Sequence, residues 1–215
     1  MKSARQTARS FLLCYAAYTV IYVARVNLSM ASPVLKADGT LTAAQIGLLG
    51  SIFSVVYAVG RLINGARCDR VPPVRMIAGG LLLAAAANLI FAAFPPFAAL
   101  AGLWAVNALA QSMLWSAILR VIASVYAPAD AQRKAAQMIT SVAVGNVAGI
   151  GVNTALLHFG SPAAAFWVPG GVLAVLGAAA MAVLRGIATE PDRTRSRRCV
   201  GRTSGGCWCP RCCTA

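Results

Sequence analysis

Acid is the scarcest chemistry in this 215-residue chain: Asp and Glu together number 5, against 19 Lys and Arg. The acidic residues are Asp38, Asp69, Asp130, Glu190 and Asp192. All fall in expected loops or in the tail, so no carboxylate stands at membrane depth to run an internal proton relay. The single histidine, His158, has no metal or triad partner nearby and is expected in a solvated outer loop. With no nucleophile, base and metal gathered at one depth, the residues offer neither an enzyme site nor a cofactor site. Charge of either sign is sparse at 11%, whereas 59% of residues are hydrophobic, which excludes an ordinary soluble domain. A net charge of +14 would alone point to nucleic acid, but the apolar content points instead to a basic membrane protein. The lipid bilayer is the expected surrounding, and nucleic acid is not an expected partner. Cysteine is thin in the body of the chain. Five of the seven lie in the tail, and Cys14 and Cys68 show no pairing or metal spacing.

What is present is apolar run after apolar run. Six stretches, at about 11–33, 43–66, 76–94, 97–122, 135–157 and 163–184, each approach the roughly 20 residues a spanning helix needs. The expectation is an all-α membrane protein of six transmembrane helices. Turn chemistry separates the runs at Ala37-Asp38-Gly39, Val71-Pro72-Pro73, Phe94-Pro95-Pro96, Ala127-Pro128-Ala129-Asp130 and Phe159-Gly160-Ser161-Pro162, and such short connections imply antiparallel neighbours. A signal peptide would also begin with Lys2, Arg5 and Arg9 and end near Ser29-Met30-Ala31, but this run is long and contains Arg25. Lys and Arg alternate cleanly between the two sides. Lys2, Arg5 and Arg9, then Arg67, Arg70 and Arg75, then Arg133 and Lys134, then Arg185 and the tail mark one side, and the opposite loops hold only Lys36. Both termini are therefore expected in the cytoplasm.

Arg25 and Arg61 fall well inside spans one and two, where an unpartnered charge costs about 2.5–3.5 kcal/mol on insertion scales. No carboxylate of the spans can neutralise them, so an anionic ligand is the natural counter-ion; snorkelling or bonding to backbone carbonyls is the alternative. Tyr15, Tyr18, Tyr22, Arg25 and Ser29 share one helix face by their spacing. Gly50, Ser54, Tyr57, Arg61 and Asn64 form a second stripe, and Asn107, Gln111 and Trp115 a third. The three stripes imply a shared aqueous cavity, although interhelical hydrogen bonding accounts equally for the Asn, Gln and Ser members. Gly145 and Gly149 form a G-x-x-x-G spacing with Asn146, Gly151 and Asn153 nearby, which reads as close helix packing. Arg120, near the end of span four, is expected to snorkel.

The loop after span two reads Gly65-Ala66-Arg67-Cys68-Asp69-Arg70-Val71-Pro72-Pro73-Val74-Arg75. Its pattern of Gly65, Asp69, Arg70 and Arg75 resembles the signature loop between helices two and three of the major facilitator superfamily, whose members have twelve helices in two six-helix halves. More of the chain, about residues 10–185, resembles one branch: the organophosphate:inorganic phosphate antiporters, which include glycerol-3-phosphate and hexose-6-phosphate transporters. The resemblance rests on Tyr22 through Asn27 with Pro33 beyond, on Tyr57 through Arg61 to Gly65, on Asn107, Gln111-Ser112-Met113 and Trp115, on the Arg133 loop and on Gly145-Asn146-Val147. It implies that Arg25 is the phosphate-binding arginine of the N-terminal half and that Arg61 occupies a basic cavity position. Tyr18, Tyr22, Tyr57, Gln111 and Trp115 would line the same cavity. The implied activity is exchange of a small organic phosphate for inorganic phosphate by alternating access, in a plasma membrane, the inner one in a bacterium.

The chain departs from that pattern in four places. Gly145 stands where glycerol-phosphate members carry a histidine, Arg61 replaces a lysine, Ser116-Ala117 follow Trp115 in place of prolines, and there is no second half with its own arginine. Residues 1–10 are expected as a cytoplasmic N-terminus, 11–185 as the six-helix half and 186–215 as a basic, Cys-rich tail. Cys207, Cys209, Cys212 and Cys213 are poorly spaced for zinc. The abrupt change of composition is what an out-of-frame or truncated reading would produce. Three readings stay open: an antiporter half acting with a second half or a second copy, an inactive remnant or non-transporting membrane subunit, and a facilitator for another substrate class.

Overall fold

A computed structural model of the chain describes residues 4–68 and 70–184; Asp69, Arg185 and the Cys-rich tail lie outside them. The described residues form eight helices: α1 Ala4–Arg25, α2 Asn27–Ala37, α3 Ala43–Arg67, α4 Pro73–Phe91, α5 Phe97–Ser112, α6 Leu114–Val125, α7 Pro128–Phe159 and α8 Ala164–Leu184. These compose the six expected spans, because α1 with α2, and α5 with α6, run on as single spans, Arg5–Ala37 and Phe97–Val125. The protein is thus an all-helical, multi-pass membrane protein.

Local chemistry explains most of the boundaries. α3 starts on a capping box in which the Thr42 hydroxyl accepts from the Gln45 N–H and the Gln45 side chain accepts from the Thr42 N–H. α2 ends at a turn in which Gly39 has φ +71, a conformation glycine adopts without strain. Phe94, at φ +46, precedes Pro95, which disfavours the helical region for its predecessor. Two expectations need correction. Ala127 through Asp130 is not a turn before a helix at 135 but the start of α7, since Pro128 sits in its first turn and Asp130 faces the positive end of the dipole. For the same reason of length, His158 lies in the last turn of α7 rather than in a loop, and it is exposed.

Packing follows small residues, as expected where lipid tails are as apolar as leucine and provide no hydrophobic drive. α4 is the most enclosed span and packs on α5 and α8, while α1 packs on α7 and α3 on α5. One core gathers Tyr18, Ile77, Leu81, Leu114, Ile118, Met138 and Leu173. The other gathers Leu28, Leu35, Phe91, Trp104 and Phe166, with the Phe91 and Phe166 rings stacked at 4.6 Å. α3 and α7 are the least buried spans and carry exposed Val55, Leu62 and Val147.

Candidate functional site

The site begins with the break in span one. α1 ends on Arg25 and α2 begins at Asn27, so the guanidinium leaves the helix in the middle of an apolar span. Aromatic rings receive it: its central carbon lies 4.0 Å from the Tyr57 ring centroid, 5.1 Å from Phe53 and 5.2 Å from Tyr22. Phe53 and Tyr57 are one turn apart on α3 and stack at 6.0 Å. Arg61, a further turn along and exposed, stands 5.8 Å from the same Tyr57 ring. Such contacts hold a cation by the ring quadrupole without neutralising it. Among the described residues no carboxylate and no hydrogen bond engages Arg25, and the described carboxylates Asp38 and Asp130 stand at helix ends.

Arg25 borders a cavity of about 450 Å³ whose wall includes Ser29, Gly50, Phe53, Ser54, Tyr57 and Trp104. That volume falls within the roughly 300–1,000 Å³ of small-molecule sites. The aromatic line continues behind Arg25: Tyr22 to Tyr18 at 5.3 Å, and Tyr18 to Trp115 on α6 at 5.2 Å. Arg25, Arg61, Tyr57, Tyr22, Tyr18 and Trp115 therefore form one connected chain, of which Arg25 and Tyr57 line the cavity itself.

The carboxamides of the third polar stripe go elsewhere. Gln111 is 2% exposed and its Nε2 donates to Asn107 Oδ1 at 3.1 Å, while Asn88 of α4 joins Asn107 at 3.3 Å and Asn27 of α2 at 2.8 Å. The bonds of Asn88 to Asn27 and Asn107 run between helices, the interhelical bonding that the sequence left as the alternative, whereas Gln111 bonds within α5 and its Oε1 has no partner among the described residues. Asn64 likewise turns inward and donates to Ser112 Oγ at 2.8 Å. Of the signature loop, Gly65 lies in the last turns of α3 and Arg70 in the turn that follows, its N–H bonded to Arg67 O at 2.9 Å. Arg75, with Arg67 and Asn64, lines a smaller cavity of about 120 Å³; Asp69 is outside the described residues. Arg120 is half-buried, and its Nη1 has no partner among the described residues. No group of ligating side chains that could hold a metal occurs among the described residues.

Phe53 and Trp104 are the aromatic wall residues that sequence reasoning missed, beside the aliphatic Val26 and Leu28. The available signal was spacing: Phe53 precedes Tyr57 and Arg61 by one and two turns, and Trp104 precedes Asn107 by one.

Comparison with known proteins bears on most of the chain. A family profile described as Major Facilitator Superfamily matches residues 14–202. The membrane sensor protein UhpC of Salmonella typhimurium is 33% identical over 94 residues, 44% of this chain and 21% of that protein. A probable hexose phosphate transport protein of Chlamydia trachomatis is 25% identical over 122 residues, 57% of this chain and 27% of that one. The matched stretches thus span about a quarter of these relatives. Among solved structures, a bacterial homologue of the human lysosomal transporter Spinster, in an inward-facing and unoccupied conformation, superposes with a TM-score of 0.73 at 17% identity, over 85% of this chain and 44% of that one; at that identity the likeness is one of fold.

Proposed function

We infer function from one premise: the chain belongs to the Major Facilitator Superfamily, a family of transporters and not of enzymes, and its curated relatives include a probable hexose phosphate transport protein. We propose that its cavity binds the phosphate group of a small phosphorylated organic anion, in alternation with inorganic phosphate. The observation that carries this reading is Arg25, a guanidinium on the wall of the 450 Å³ cavity, faced by Tyr57 at 4.0 Å and by no carboxylate among the described residues. Aromatic rings occupy part of its surroundings, and its N–H fork is left to donate to phosphate oxygens in the bidentate geometry that lysine lacks. Arg61, across the Tyr57 ring, adds a second positive charge to the same region. In a low-dielectric span both interactions are stronger than in water. Transport would follow from exposing this site to each side of the membrane in turn, as one six-helix unit rocks against another.

The test is calorimetric titration of the purified chain in lipid nanodiscs with inorganic phosphate and a hexose phosphate. Saturable binding of both, absent for the unphosphorylated sugar, is expected. Equal responses to sugar and sugar phosphate, or none to either phosphate, would overturn the reading. A second reading keeps the site without transport, and what favours it is that one relative is a membrane sensor. Phosphate exchange by proteoliposomes separates the two: binding without flux supports the sensor, binding with flux the transporter.

A further inference from the structure

The break in span one is held on one side by its own Asn27, braced from α4, and on the other by Asn153 of α7. In an uninterrupted helix the Asn27 N–H would donate to Val23 O and the Leu28 N–H to Ala24 O. Instead, Leu28 N–H donates to Asn27 Oδ1 at 2.7 Å. Asn27 is in turn braced from α4, its Nδ2 donating to Asn88 Oδ1 at 2.8 Å while Asn88 Nδ2 donates to Ala84 O at 2.8 Å. On the opposite side, Asn153 of α7 donates through Nδ2 to Val23 O at 3.1 Å and to Gly149 O at 2.8 Å. Asn27, Asn88 and Asn153 are each 0% exposed, and Val26 between the two helices has φ −86 and ψ −5.

The approach of α7 that makes this bond possible depends on its glycines. A Cβ at Gly149 would stand 2.6 Å from Val26 Cγ2 and 3.0 Å from Val23 Cα, and one at Gly145 would stand 2.6 Å from Thr19 O. Gly145, Gly149 and Asn153 recur every fourth residue, so one face of α7 supplies two close contacts and one donor. A helix interrupted inside a bilayer persists where other groups replace its lost backbone bonds. Both replacements here bracket Arg25.

We propose that Asn153, together with the Asn27–Asn88 pair, clamps the break in span one and thereby sets the direction in which Arg25 leaves the helix. They are positioning residues, and the effect on ligand binding rests on the phosphate reading above. The clamp acts on backbone groups two residues before and three residues after Arg25, so releasing either side lets the segment wind on as helix and turns the guanidinium away from Tyr57 and Phe53.

The experiment uses the full chain in nanodiscs with Asn153→Leu, which removes the donor while keeping the number of side-chain heavy atoms. Amide hydrogen exchange across residues 23–30 and titration with inorganic phosphate are both read. The clamp predicts exchange in that segment altered at least 10-fold, unchanged exchange at the α4–α8 contact, and at least a 10-fold weaker phosphate affinity. Wild-type exchange in the segment, a uniform rise across all helices, or altered exchange with wild-type affinity would each overturn it. Should Asn153→Leu fail to fold, Gly149→Ala pushes α1 from the neighbouring turn and gives the same readouts. If the wild-type chain binds no phosphate, the functional reading fails on its own, and the segment's exchange alone decides the clamp.

Discussion

Arg25 is tied to its surroundings by rings rather than by ions, and that determines how substitutions should act. Lysine would keep the charge but lose the planar fork and the face that packs on Tyr57 at 4.0 Å. One charge-assisted hydrogen bond is worth about 1.5–3 kcal/mol, so Arg25→Lys should weaken inorganic phosphate binding by about 10- to 150-fold, read by calorimetry in nanodiscs. Tyr57 separates ring from hydroxyl: Tyr57→Phe should bind phosphate as the wild type does, whereas Tyr57→Leu should lose about 2- to 30-fold through the missing cation–π contact. Arg25 is legible in the sequence because a charge inside an apolar run has no bland place to go. Phe53 and Trp104 offer spacing as their one signal, since an aromatic in an apolar helix has no chemical contrast and becomes a wall residue only when α3 and α5 bring it to the cavity.

The helices divide into those held by propensity and caps and those interrupted on purpose. Pro73 and Pro128 at helix starts, and the Thr42–Gln45 box, could be read from sequence with correct rules. The breaks at Val26 and Met113 could not, because neither residue is a helix breaker and, at Val26, a lost backbone bond is taken over by Asn153 of α7. Packing of α1 on α7 gives a test of that point. Gly145→Ala places a methyl 2.6 Å from both Thr19 O and Tyr22 Cβ, and overpacking of this kind costs about 1–3 kcal/mol. Gly151, with nothing within 4 Å of its added Cβ, is the control: Gly151→Ala should hold or raise stability by up to about 1 kcal/mol. Thermal unfolding in detergent should therefore order the chains Gly145→Ala below wild type and Gly151→Ala at or above it.

At the scale of the molecule, charge distribution and cavity chemistry make the predictions. Lys and Arg cluster on one side of the six spans, so a cysteine introduced as Ser161→Cys should react with a membrane-impermeant maleimide from outside intact cells, and Ala127→Cys should not. The cavity wall carries neither histidine nor carboxylate among its described residues. Affinity for a phosphate monoester should then rise once with pH, near about 6 as the dianion forms, with no second step from the protein. A titration in nanodiscs between pH 5 and 8 would show an additional step if another group bound the ligand.

The sequence by itself determined the membrane class, the six spans and the superfamily, because each rests on residue content along the chain: apolar length and the spacing of Gly65, Arg70 and Arg75. Only the tertiary structure decided which polar residues meet. Gly50, Ser54 and Tyr57 reach the cavity with Arg25, while Asn64 and Asn107, on equally polar stripes, close hydrogen bonds between helices and Gln111 bonds to Asn107 within α5. The physical reason is that a carboxamide in an apolar helix must find a partner wherever one is near, and that choice depends on which helices pack together, which spacing along one helix does not contain.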